Sequence, residues 1–137
     1  MNATASLLGR LGLSLIFITS GWGKIAGYAA TQGYMEAMGV PGFLLPLVIA
    51  LELGGGLAIL AGGFTRSFAA ALGAFSLASA ALFHGDLGDG AQAIHFWKNV
   101  AMAGGFLMLV ANGPGALSLD AAWSRRRASS DASPATA

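Results

Sequence analysis

The sequence predicts an all-α integral membrane protein, a four-helix bundle with spans at about residues 7–25, 43–61, 66–83 and 94–111 and almost no soluble part. Three observations carry that reading. The chain is 55% hydrophobic and only 9% charged, too few polar side chains to coat a water-soluble globule of 137 residues. Its mean hydropathy is +0.69. Breaks rich in Gly and Pro then divide the apolar sequence into four stretches, each close to the ~20 residues that a helix needs to cross a bilayer. The lipid bilayer is therefore the first expected partner.

The first apolar stretch runs from about Leu7 to Ile25, with Trp22 and Tyr28 at interfacial positions. A cleavable signal peptide is its rival, with Ala29 and Ala30 as the small residues. It is disfavoured because Arg10 interrupts the apolar run and no basic side chain precedes it. Residues 26–41 mix Gly, Thr, Gln and Glu36 before Gly39-Val40-Pro41-Gly42, which reads as an irregular or interfacial connection. The second helix follows from about Phe43, with Pro46 in its first turns, where a missing backbone donor is tolerated, and Gly62-Gly63 as the stop. Thr65 is the expected N-cap of the third helix.

His84-Gly85-Asp86-Leu87-Gly88-Asp89-Gly90 breaks the pattern with three glycines and two carboxylates and reads as a solvated loop. It lacks the ligand set of a calcium loop. The fourth helix stops at Asn112-Gly113-Pro114-Gly115, and Ser118-Leu119-Asp120 opens a last short segment. The expected domain is 1–124, followed by a basic and then disordered tail over 125–137. Arg10, Arg66 and Arg125 to Arg127 fall at one end of the spans, with Lys24 and Lys98 near the other, which predicts both termini inside.

Composition also excludes some chemistry. Net charge is +1 with no extended basic surface, so nucleic-acid binding is not expected. Cysteine is absent, which removes disulfides, thiolate metal sites and any dithiol relay carried by this chain.

The informative residues are charges placed where lipid forbids them: Arg10, Glu52 and Lys98 inside spans, and Lys24 at the edge of one. Glu52 sits near the middle of the second helix, where a carboxylate must find a cation, stay protonated or line a wet cavity. Lys24 and Lys98 are its expected partners, and Asp120 is the expected partner of Arg10. A buried ion-pair network that only fixes helix register would use the same residues. His84 and His95 flank the acidic loop, where a metal site is a weak reading because mobile glycines separate them. Ser14, Thr19, Ser20, Ser76 and Ser79 read as helix contacts or back-bonds to the preceding turn. Gly54-Gly55-Gly56 and Gly104-Gly105 read as close-packing surfaces between the second and fourth helices. They also belong to a weak internal echo of Glu52–Leu60 in Ala101–Leu109.

Gly9-Arg10-Leu11, Phe17-Ile18-Thr19-Ser20-Gly21 with Lys24, Glu52, Gly62-Gly63-Phe64-Thr65-Arg66, Phe83-His84, Phe96-Trp97-Lys98-Asn99 and Gly113-Pro114-Gly115 with Ser118-Leu119-Asp120 occur in this order. Together they resemble the DoxX family of small bacterial membrane proteins over about residues 7–124. The resemblance implies a multi-pass inner-membrane protein with an oxidoreductase label, since a related subunit belongs to a thiosulfate:quinone oxidoreductase. Two readings follow from it. One is a redox protein or redox-complex subunit that binds a quinone-like molecule using Glu52, Lys24 and Lys98, with Arg10, His84 and His95 as the other members of the candidate ligand-binding or buried polar cluster. The other is a non-catalytic membrane anchor for partner proteins, with homo-oligomers also compatible. A small transporter is disfavoured because four short helices enclose little space.

Overall fold

The computed structural model describes residues 2–131, and the last part of the expected tail, residues 132–137, lies outside them. Four long helices carry the architecture: α1 (Ala3–Ala26), α3 (Leu45–Ala61), α4 (Thr65–Phe83) and α5 (Gly90–Asn112). A short α2 (Tyr28–Ala37) follows α1, a 3₁₀ turn at Gly42–Leu44 leads into α3, and α6 (Leu119–Asp131) closes the described chain. The four long helical segments, counting the 3₁₀ turn with α3, are each long and apolar enough to cross a membrane. This is the predicted four-helix membrane bundle.

Local capping explains why two helices start earlier than hydropathy alone suggests. The Asn2 carboxamide accepts from the amides of Thr4 and Ala5 and starts α1 at Ala3 instead of Leu7. The Asp89 carboxylate does the same for Ala91 and Gln92, so α5 begins at Gly90 and takes in the end of the expected loop. Residues 28–37, expected to be irregular, form α2. Ala29, Ala30, Met35 and Ala37 are good helix formers, Thr31 Oγ1 donates to Gly27 O, and Met35 is buried.

The distribution of side chains is that of a protein in lipid. Only 11% to 28% of the residues in each spanning window are buried, while Leu47, Ile94, Leu107 and Met108 stand more than half exposed. Arg10, Ser14, Glu52, Ser76 and Asn99 are among the buried positions. Water would reject that arrangement, but a bilayer solvates leucine as well as a protein core does and drives polar groups inward. The apolar centre consists of Phe17, Ile59, Ala69, Leu72, Phe106 and Leu109, with the Phe17 ring 5.4 Å from that of Phe106. Ser14, Thr19 and Ser76 donate back to Leu11, Leu15 and Leu72 carbonyls, as expected for small polar residues in spans.

Packing is closest between α1 and α3 and between α4 and α5, with α3 meeting α4 less extensively and α1 barely touching α5. The glycine runs do not face each other as expected. A Cβ on Gly55 would meet Leu72 of α4, one on Gly105 would meet Leu13 of α1, and Gly54 and Gly104 have nothing within 4 Å. The reason is that α3 packs chiefly on α1 and α4, so its small residues serve those neighbours. Within the two runs Gly56 makes the tightest approach, because a Cβ there would lie 3.3 Å from both Ser14 O and Ile18 N on the backbone of α1. Gly56→Leu is expected to wedge α1 from α3 and cost about 1–3 kcal/mol. Unfolding in detergent micelles followed by circular dichroism measures it, with Gly54→Leu as a near-neutral control.

Candidate functional site

Lys24 leaves the last turn of α1 and meets Glu52 from the middle of α3. Nζ stands 2.9 Å from both carboxylate oxygens, with its hydrogen bond directed to Oε1. Oε2 is buried in the same ion pair and has no further hydrogen-bond partner. Glu52 is 3% exposed, and this is the only ion pair among the described residues. Gly21 permits the approach of α1, since a Cβ there would crowd Leu53 and Glu52.

The pair stands where two cavities meet. One, of ≈ 180 Å³, lies between α1, α4 and α5 and is lined by polar groups of Ser20, Ser79, His84, Lys98 and Asn99. The other, of ≈ 300 Å³, is mainly apolar and runs under α2, bounded by Tyr34, Met35, Val48 and Leu82. Lys24, Glu52, Phe75, Ser79 and His84 border both. Tyr34 of α2 stacks on Phe83 at 5.6 Å, so the helix that replaced the expected irregular connection roofs the apolar cavity. A hollow of ≈ 410 Å³ around Arg66, Gly113 and Asp120 is larger, but it is open and contains no buried ion pair.

Four of the expected site residues therefore converge: Lys24, Glu52, Lys98 and His84. Lys98 is not bonded to Glu52. Its Nζ donates to His95 Nδ1 at 3.0 Å, because both lie on one face of α5, and a lysine ammonium can only donate. The hydrogen bond places the His95 proton on Nε2. His95 itself borders neither cavity, but its ring stacks on that of His84, centroids 5.0 Å apart and planes at 26°. Rings stacked in this way aim their nitrogens sideways and not at a common point. His84 donates from Nδ1 to Gln92 Oε1 at 2.7 Å. Asn99, Ser20 and Ser79 also belong to the lining. Asn99 falls on the inward stripe with Met102, Phe106 and Leu109, a spacing visible in the sequence, and spends Nδ2 on His95 O.

Arg10 is separate from this group. It lies fourteen residues before Lys24 on the same helix, or about 20 Å along the axis. Fully buried, its guanidinium donates to the carbonyls of Ile59 (3.1 Å), Leu60 (2.8 Å) and Leu117. It thereby satisfies the end of α3 and fastens the segment after α5. The expected Arg10–Asp120 pair is not formed. Asp120 is committed elsewhere, Oδ1 accepting from Phe64 N (2.8 Å) and Oδ2 from Thr65 N (3.0 Å). The α4 N-terminus is thus capped by α6, and Thr65, the expected cap, turns its hydroxyl into the bundle, where it has no partner.

Similarity to known proteins agrees with the fold. The DoxX family model matches residues 5–85. The Escherichia coli K12 inner membrane protein YqjF is 56% identical over 114 residues, spanning 83% of this chain and 88% of that protein. Inner membrane protein YphA of the same organism is 40% identical over 121 residues, spanning 83% of this chain and 86% of its own length. No solved structure matches. With its four spans and relatives of the inner membrane, the chain belongs to the DoxX family.

Proposed function

We propose that this DoxX-family membrane protein binds a quinone-class molecule at the Lys24–Glu52 pair and serves as a membrane oxidoreductase or as the quinone-binding subunit of a redox complex. The observation that carries the reading is the position of the pair at the junction of a polar and an apolar cavity. Pockets for small amphipathic molecules combine those two linings. A ring carbonyl needs an N–H donor, and Lys24 and Lys98 offer ammonium groups. A ring hydroxyl needs an acceptor, and the Glu52 carboxylate, bound only by Lys24, can accept from a second donor. Phe17 and Phe75 supply apolar surface for the ring, and the cavity beneath α2 leads an apolar tail toward lipid.

A bound quinone would supply the electron carrier. The chain's own residues would donate hydrogen bonds through Lys24 and Lys98 and hold a proton at Glu52. Because the chain has no cysteine, any reactive thiol comes from a partner subunit. Both termini face the cytoplasm in this reading, the arginine-rich end inside.

The test is binding of a ubiquinone analogue to the purified protein, followed by isothermal calorimetry or quenching of tryptophan fluorescence. Wild type is expected to bind and Glu52→Gln to weaken binding by tenfold or more, with loss of about 1.5–3 kcal/mol for a hydrogen bond to a charged group. Undiminished binding by the variant would remove the site. Absence of binding by wild type, together with co-purifying proteins and tolerance of a Lys24–Glu52 charge swap, would favour the anchor reading.

A further inference from the structure

The turn between α3 and α4 holds an unusual residue for its position. Phe64 has φ 47, the only positive φ outside glycine among the described residues, and the residue is 67% exposed. A left-handed backbone strains a bulky side chain, and glycine would occupy the position freely. The chain nevertheless presents an outward phenylalanine there, with the Asp120 carboxylate accepting from its amide. The turn joins the ends of two spans, Ala61 and Thr65, so the ring lies at the depth of the lipid headgroups.

Helix α6 completes the surface. Leu119, Trp123, Arg126 and Arg127 stand at i, i+4, i+7 and i+8 and form one stripe. Leu119 meets Gly63, and Trp123 lies edge-on to Phe64 at 5.5 Å. Phe64, Trp123, Arg126 and Arg127 border a shallow, open concavity of ≈ 340 Å³. The carboxylate of Asp120, the acidic residue in the first turn of α6, is occupied by two backbone amides and does not reach these arginines. Two guanidinium groups therefore flank an aromatic pair at this end of the bundle.

We propose that Phe64, Trp123, Arg126 and Arg127 form a binding site for the phosphate headgroup of an anionic phospholipid in the adjoining leaflet. Guanidinium matches phosphate through paired N–H donors, and the aromatic rings supply the amphipathic floor that headgroup depth favours. Net charge selects the lipid: a zwitterionic headgroup brings a cation toward the arginines, and an anionic one does not.

Native mass spectrometry of the full chain, released from neutral detergent with phosphatidylglycerol or phosphatidylcholine of identical acyl chains, tests the site. Phosphatidylglycerol is expected to be retained preferentially, and Arg126→Gln/Arg127→Gln to weaken it about 25-fold, roughly fivefold per arginine. Arg125→Gln, off the stripe, should weaken it at most twofold, and Phe64→Gly should weaken it without removing charge. Equal retention of the two lipids, or a double variant that binds like wild type, would overturn the proposal. An Arg125 effect as large as that of its neighbours would reduce the site to diffuse charge and overturn it too. A second measurement leaves the arginines intact: in Trp22→Phe/Trp97→Phe protein, brominated phosphatidylglycerol should quench Trp123 fluorescence more than brominated phosphatidylcholine. Equal quenching would again count against the site.

Discussion

Lys24→Met is expected to destabilise the bundle by about 3 kcal/mol, and adding Glu52→Leu in the same chain is expected to restore most of that loss. The asymmetry follows from where the two charges sit. Glu52 is 3% exposed and has its ion pair with Lys24 at 2.9 Å, so removing the cation alone strands a carboxylate in a low-dielectric interior. Removing both charges leaves an apolar contact between α1 and α3 that lipid-phase packing accepts. Glu52→Gln alone should cost less than Lys24→Met, because Lys24 is part-exposed at the span end and can reach water. Unfolding of wild type, Lys24→Met, Glu52→Leu and the double variant in micelles closes the double-mutant cycle. If Lys24→Met proved as stable as wild type, Glu52 would have to be protonated or met by another cation, and Lys98 across the polar cavity is the one placed to do so.

The second large effect is expected at the opposite end. Arg10→Leu should cost on the order of 3–5 kcal/mol, since it removes the donors to Leu60 and Leu117 together and leaves Ile59 only its bond from Gly62 N. Arg10→Lys should recover less than half. An ammonium group is a point donor, and the three acceptors are spread across the fork of a guanidinium. The same micelle unfolding experiment measures both substitutions. Binding at the Lys24 end, measured on the folded fraction, should stay within twofold of wild type, because Arg10 lies about 20 Å away along α1. A selective loss of binding in stable Arg10→Lys protein would link the two ends and contradict their separation.

Much of the fold was legible because hydropathy and glycine–proline punctuation act locally. The four spans needed only length and composition, and the stop at Gly62 needed only a residue that accepts a φ of 70°. The early starts at Ala3 and Gly90 were also written locally, in Asn2 and Asp89, but an apolar window averages such single residues away. Helix α2 was hidden because its composition is mixed and its stability comes from packing Met35 and Tyr34 over the bundle.

The site divides in the same way. Buried charge marked Glu52 and Lys24, since lipid makes an unpaired carboxylate too costly to ignore. The partner of Asp120 was not legible, because opposite charge suggested Arg10 and only the assembled structure brings two bare amides of α4 closer. Ser20 and Ser79 looked like back-bonding residues, and only the gap between α1 and α5 makes them cavity lining.

The cap on α4 has a consequence for how the chain is made. Its two leading amides wait for a carboxylate 55 and 56 residues further along, so the third span enters the membrane before its own N-terminus can be finished. The same delay holds for Arg10, whose acceptor at Leu117 is 107 residues downstream. Assembly at this end is thus ordered by translation: the spans can insert one after another, but they lock only when the segment around residues 117–120 has left the ribosome and folded back against the turn at Gly62.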